Sequence, residues 1–143
     1  MRVLRFIWQL PQNLIALFLI LISLDRKKKE YTCFDGTKVK VWFVSSVFGS
    51  GVSLGDFILL DKASYLGLPS SVITPTVNHE HGHQKQSLYF GWLYLLLVGL
   101  PSAFNNIWDR TQHKRWSYDK RNRWYYSRYP EKWADKLGFV IRW

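Results

Sequence analysis

From Val3 to Leu24 the chain carries one charge, Arg5, and finishes in the run LIALFLILISL before closing abruptly at DRKKKE. No other segment limits the fold so strongly, because that much apolar surface must be covered by protein or by lipid. About 20 apolar residues span a bilayer as a helix, and this segment reaches that length if Gln9, Pro11, Gln12 and Asn13 lie near one interface. No small-residue cleavage site precedes the lysines, so residues 1–25 are expected to form a retained membrane anchor helix rather than a cleaved signal. Arg26 to Lys29 favour a cytoplasmic side for the domain beyond them, with Arg2 and Arg5 competing at the other end.

The remaining residues, 26–143, suffice for one small domain. Hydrophobic residues make up 48% of the chain and aromatics 17%, including eight Trp and eight Tyr, which favours a membrane interface over an ordinary soluble domain. Cys33 is the single cysteine, so an intramolecular disulfide framework and a cysteine-based metal cage are both excluded. The net charge is +10, and the stretch from Arg110 to Trp143 holds ten Lys or Arg against Asp119, Glu131 and Asp135. KRWSYDKRNRWYYSRY within it suits an anionic lipid surface; nucleic-acid backbone is the less favoured partner.

In TKVKVWFV, Val39, Val41 and Phe43 alternate with Lys38, Lys40 and Trp42, which predicts a half-buried strand after a turn at Asp35-Gly36. The glycines of FGSGVSLGDFILLDK then predict a hairpin or bulged pair, with strands at Val52 to Leu54 and Phe57 to Leu60. A small antiparallel β-sheet is therefore expected before residue 70. LYFGWLYLLLVGLP, residues 88–101, is apolar all round and too short for a standard span. It reads either as a membrane-associated segment that turns near Pro101 or as a buried core helix.

Three of the four histidines fall in HEHGH, residues 79–83. A helix is predicted to begin just upstream, with Thr74 as cap and Pro75 in its first turn, or with Thr76 or Asn78 as cap. On it His79 and His83 share a face and can reach one metal ion, while Glu80 lies about 100° round, where it can act on a water. His81 points elsewhere. The pattern also arises on helix ends with no metal, where Glu80 simply favours the helix dipole. A third ligand is available in RYPEKWADKLGF. Pro130 can open a helix that places Glu131 and Asp135 four residues apart on one face, with Ala134 small enough for close packing. Such a pair either lies on a solvated face or faces a cation or histidine that relieves the repulsion.

HExxH followed by ExxAD on a later helix resembles the zinc metallopeptidases whose third ligand is glutamate. Within them it looks most like the membrane-embedded branch of the CAAX prenyl proteases and the bacterial heat-shock membrane protease. WQLPQN, HExGH and EKWADKLG together also resemble a group of small uncharacterised bacterial membrane proteins. Lys85 departs from the protease pattern, which is usually apolar there. The resemblance implies an α+β fold in which a membrane helix and a small sheet precede zincin-like helices. It implies Zn2+ held by His79, His83 and Glu131, water activated by Glu80, and a ligand histidine supported by Asp135. A donor to the oxyanion is expected from His113, Tyr125 or Tyr126. The implied activity is hydrolysis of a peptide or protein substrate by a membrane-anchored enzyme, held either by a single pass or as a monotopic protein. The contrasting expectation is a catalytically silent adaptor that binds a membrane surface or nucleic acid through the basic aromatic region.

Overall fold

Four consecutive apolar residues, Phe57 to Leu60, suit a strand only when both of its faces are covered, and the fold is layered around that strand. The structure is a computed structural model describing residues 2–45, 47 and 49–143; Met1 of the expected anchor and Phe48 of the glycine-rich turn fall outside the described residues. In chain order it forms helices α1 (Arg2–Trp8) and α2 (Leu10–Ile22), then strands β1 (Lys27–Thr32), β2 (Lys38–Val44), β3 (Gly51–Leu54) and β4 (Phe57–Asp61). Next come helices α3 (Lys62–Tyr65) and α4 (Ser70–Phe90), a 3₁₀ turn at Gly91–Leu93 and a π-helical stretch at Leu95–Gly99. Helices α5 (Leu100–Gln112), α6 (Tyr118–Tyr126) and α7 (Glu131–Leu137) complete an α+β fold.

The sheet runs β1-β2-β4-β3 and is mixed, not antiparallel as the hairpin pattern predicted. β1 with β2 and β3 with β4 are antiparallel, but β2 and β4 are parallel, with Val41 opposite Ile58 and Phe43 opposite Leu60. Two reversals, one between β2 and β3 and one at Gly55-Asp56, return β4 in the direction of β2 and insert it beside β2. The expected strands at 39–43, 52–54 and 57–60 are all present. β1 is an addition: KKKEYT reads as a charge run, yet it forms an edge strand whose lysines face solvent and only Tyr31 is buried.

One face of the sheet is covered by α4, where Ile73 and Val77 pack on Val41, Phe43, Ile58 and Leu60. The other is covered by α2, where Ala16 and Ile20 pack on Val44, Leu54 and Leu59. α2 is thereby packed directly on the sheet. Gln9, Gln12 and Asn13, expected at a lipid interface, are fully buried. Gln12 donates to the Gly91 carbonyl (2.8 Å), and the Asn13 side chain accepts from the Asp56 amide (2.8 Å). No described helix is long and apolar enough to cross a membrane alone; α1 and α2 together meet that length but are bent by 93°.

α4 begins at Ser70, and Pro75 lies inside it rather than opening it. The proline removes the bond to the carbonyl of residue 71, but Ser71 is exposed and water can take that place. Farther along, the helix meets α7 at small residues. A Cβ on Gly82 would fall on the Ala134 carbonyl, and one on Gly138 would fall on the Asn78 carbonyl. The two backbones are in contact, and α7 inherits its position from that contact.

Gly82→Ala should therefore destabilise the protein by about 1–3 kcal/mol, the usual penalty for overpacking where no flexible side chain can yield. Gly99→Ala, whose added Cβ would find its nearest neighbour 3.6 Å away, should be neutral or slightly stabilising. Thermal unfolding of both variants checks this, and equal melting temperatures would disprove the backbone contact.

Candidate metal centre and its cleft

The contact at Gly82 sets the i, i+4 pair of α4 against the i, i+4 pair of α7. His79 Nε2 lies 3.0 Å and His83 Nε2 3.1 Å from the same oxygen, Glu131 Oε2. All three side chains are buried, and together they form a group able to hold a metal ion. The outer nitrogens of the rings are taken. His79 Nδ1 is 2.7 Å from Asp135 Oδ1, and His83 Nδ1 is 2.7 Å from Gln86 Oε1. The Gln86 amide is oriented by its own NH2, which donates to the Pro130 carbonyl (3.0 Å).

These outer bonds fix the tautomers. Asp135 as a carboxylate only accepts, and Gln86 presents its oxygen, so both Nδ1 atoms carry hydrogen and both neutral Nε2 atoms present lone pairs inward. Two nitrogen lone pairs and a carboxylate oxygen then converge at about 3 Å, an arrangement that requires positive charge among them. Burial works against a charged His79, but the bonds to Asp135 and Glu131 outweigh it and hold its pKa up at about 9. Burial likewise pushes Glu131 up, and the imidazoles of His83 and His79 hold the carboxyl well below the usual range instead. Either added protons or a metal ion supply the charge. The Ser102 hydroxyl donates to the remaining oxygen, Glu131 Oε1 (2.5 Å), which fixes the carboxylate plane.

Glu80, one residue round the helix from His79, faces a cleft of roughly 770 Å³ that the two histidines and Glu131 also line. Burial raises its pKa, with His79 and His83 pulling the other way. β3 forms one wall, and Gly51 permits its close approach: a Cβ there would stand 3.2 Å from Glu80 Oε1 and 2.6 Å from a Leu60 methyl. Ser53 Oγ and Asn106 Oδ1 line the cleft and are buried without a hydrogen-bond partner. Buried polar atoms are rarely left so, and both fit a polar ligand in the cleft.

Of the three expected oxyanion donors, two line the cleft. Tyr126 stands edge-on to His79 at 5.2 Å between ring centroids, and Tyr125 is beside it. Burial raises both phenols well above their ordinary value, so they remain O–H donors. His113 is elsewhere, a correction to the expectation. It is stacked on Trp116 at 3.7 Å and bonded to Asp109, and it does not reach the cleft. Aromatic neighbours and an i, i+4 carboxylate hold it there.

Sequence reasoning missed three members of the assembly. Gln86 was within reach, being three residues after His83 on the same helix. Ser102 and Arg142 carried no local signal. Arg142 grips Asp135 with two bonds of 2.6 and 2.9 Å, and its guanidinium lies 3.3 Å from the ring centroid of Tyr126. One arginine thereby holds both the carboxylate behind His79 and a phenol of the cleft.

The opposite face of α4 carries a second group, Cys33, Asp35 and His81. His81 points away from the centre, as expected, and binds Asp35 (3.0 Å) and Gln84 (3.1 Å). Lys85 explains the polar departure from the apolar pattern. Its ammonium is 2.8 Å from the same Asp35 oxygen and donates to the Leu137 carbonyl, so a cation of the protein already occupies the place a metal would take.

In comparisons with known proteins, no family model, no curated protein and no solved structure matches the chain.

Burial, reinforced by Asp35, pushes the Cys33 thiol up to about 11. Only the thiolate reacts with iodoacetamide, so the folded protein at pH 8 should resist alkylation and become labelled only in denaturant. Rapid labelling of the native protein, followed by mass spectrometry, would show an open or metal-ready Cys33.

Proposed function

We propose that the protein is a zinc-dependent peptidase that hydrolyses amide bonds in the cleft. The observation that carries this is the convergence of two tautomer-fixed imidazoles and a buried carboxylate on one point, with Glu80 alongside. The donor set suits zinc: nitrogen and oxygen ligands at about 2.0–2.1 Å in a tetrahedron stand about 3.3 Å apart, close to the 3.0 and 3.1 Å separations found. Asp135 and Gln86 behind the histidines are the partners that zinc-bound imidazoles usually have.

When bound, zinc supplies a Lewis acid that lowers the pKa of water toward ~7 and polarises a carbonyl. Glu80 accepts the proton of the attacking water and passes it to the leaving amine, so the peptide C–N bond breaks as a C–O bond forms and no proton is lost overall. Tyr126 and Tyr125 offer O–H donors to the negative charge that develops on the carbonyl oxygen. An extended peptide can lie along the edge of β3, with its backbone opposite Gly51 and its carbonyl near Glu80. The basic aromatic region is partly self-paired, with Lys120 over Trp116 and Arg128 over Trp124.

Glu80→Gln keeps the shape of the side chain but cannot take the proton. Hydrolysis of a casein or quenched peptide library should fall by at least the ~10²–10⁴ of general-base removal, with zinc content unchanged. Full activity in that variant would rule out the mechanism.

The two carboxylates of α7 should separate in zinc affinity. Glu131→Ala leaves two imidazoles and should lose most of the metal, whereas Asp135→Ala keeps all three ligands and should weaken binding by only ~10–100-fold. Competition against a chromophoric chelator measures both. Equal small losses would return Glu131 to a structural role.

A further inference from the structure

Two apolar segments far apart in sequence are fastened together at one point. The Trp8 indole donates to the Leu88 carbonyl (2.8 Å), the Trp92 indole donates to the Ile7 carbonyl (2.8 Å), and a Cβ on Gly91 would fall on the Trp8 ring. From this crossing, α2 and the 91–112 segment each turn one side inward, through Ala16 and Ile20 and through Tyr94 and Val98. Their other sides hold Leu14, Phe18 and Leu21, and Leu96, Leu100 and Phe104, each 53–65% exposed. Soluble monomers rarely leave so many large apolar side chains together in water.

We infer that these two exposed sides form one face that seats the protein in a single leaflet of an anionic bilayer. The sequence left a single-pass span and a monotopic seat both open. The bend between α1 and α2 argues against their spanning. At 1.5 Å per residue, α1 with 7 residues is about 10 Å long and α2 with 13 is about 20 Å. A 93° corner between them leaves at most about 22 Å from end to end, short of the ~30 Å hydrocarbon core. Charge decides for lipid over a second copy of the chain. Where the chain leaves the apolar face it becomes basic and exposed: Arg2 at the start of α1, Arg26 to Lys29 after α2, Lys114 and Arg115 after α5. With a net charge of +10, two copies facing each other would repel, while anionic headgroups complement the same residues.

The seat lies directly behind the cleft. Leu19 of α2 and Ser102 and Asn106 of α5 line the cleft, while Phe18 and Phe104 on the same helices face outward. Lipid and cleft are thus about one helix diameter, ~10 Å, apart. None of the exposed residues belongs to the metal centre, so lipid seating and peptide hydrolysis succeed or fail separately.

The test uses the full chain loaded with zinc and mixed with vesicles of phosphatidylcholine, with and without phosphatidylglycerol. Flotation should show binding to anionic vesicles at least ~10-fold tighter than to neutral ones, weakening as salt rises. Tryptophan fluorescence should be quenched by lipids brominated near the headgroup and little by lipids brominated at the chain ends. In sealed vesicles the thiol introduced by Arg2→Cys and the Lys27 to Lys29 cluster should both react with external thiol and amine reagents. The triple variant Leu96→Glu, Leu100→Glu, Phe104→Glu should bind at least ~10-fold more weakly while its circular dichroism is unchanged; a misfolded variant leaves the quenching of the unaltered protein to decide. Reaction of only one of the two ends would establish a span and overturn the inference. A concentration-dependent dimer that ignores vesicles would assign the face to a second copy, and a monomer that ignores vesicles would leave it without a lipid partner.

Discussion

The contact of α4 with α7 at Gly82 and Ala134 is what the candidate centre depends on. Backbone against backbone is the closest approach two helices can make, and it leaves almost no freedom in their separation. Side-chain contacts would yield by rotamer changes of an ångström or more, whereas a metal centre tolerates a few tenths. Gly82 interrupts a helix at a typical loss of about 1 kcal/mol relative to alanine. That loss is offset by the burial of α7 against the helix, which sets Glu131 and Asp135 on His79 and His83.

The same stretch of α4 is unusual in being buried on every side while remaining polar. Asn78 to Gln84 are all buried, and a buried polar side chain without a partner costs about 1–3 kcal/mol. Each face is met by a different element. Asn78 accepts from the Phe34 amide (2.7 Å), His81 and Lys85 hold Asp35 of the turn after β1, and His79 and His83 meet α7. The helix is thereby clamped in rotation as well as in depth. That explains how a segment with little apolar content on it, and with a proline within, persists as a helix of 21 residues.

How far this was legible in the sequence depends on the range of the interactions. The i, i+4 spacings of His79 with His83 and of Glu131 with Asp135 are local, and they survived folding unchanged. That both pairs meet was suggested by the mutual repulsion of Glu131 and Asp135 and by the HExxH and ExxAD resemblance, not by either spacing itself. The partners that complete the centre, Ser102 and Arg142, come from segments whose positions depend on tertiary packing. The surroundings of the polar residues in the N-terminal segment were hidden for a related reason. Composition reported its apolarity correctly but not which side of each helix already had a partner, so Gln9, Gln12 and Asn13 were placed at a lipid boundary when they are bonded inside the fold. β1 was obscured because an edge strand can be charged throughout, and the parallel pairing of β2 with β4 because alternation of side chains says nothing about strand direction.

The cleft itself is asymmetric along β3, and that bears on how a peptide could lie in it. In a two-residue hairpin closed by Leu54 and Phe57, alternate residues turn their peptide groups away from the partner strand; on β3 these are Ser53 and Gly51. The Ser53 carbonyl is already engaged by the Tyr94 hydroxyl (2.9 Å), and the Ser50 carbonyl accepts from the Asp61 amide (2.9 Å). The outward edge left for an extended backbone is therefore centred on Gly51, beside Glu80. Main-chain bonds there contribute only about 1 kcal/mol each, too little to hold a peptide tightly. Selectivity in the proposed reaction would rest on side chains reaching the apolar wall of Leu19, Val52 and Leu54 or the polar one of Ser102 and Asn106. Leu19 in the first of these walls lies on the inner side of α2, the helix whose outer side is proposed to face lipid, so a substrate segment that is itself apolar would meet the cleft from the side where such segments are concentrated.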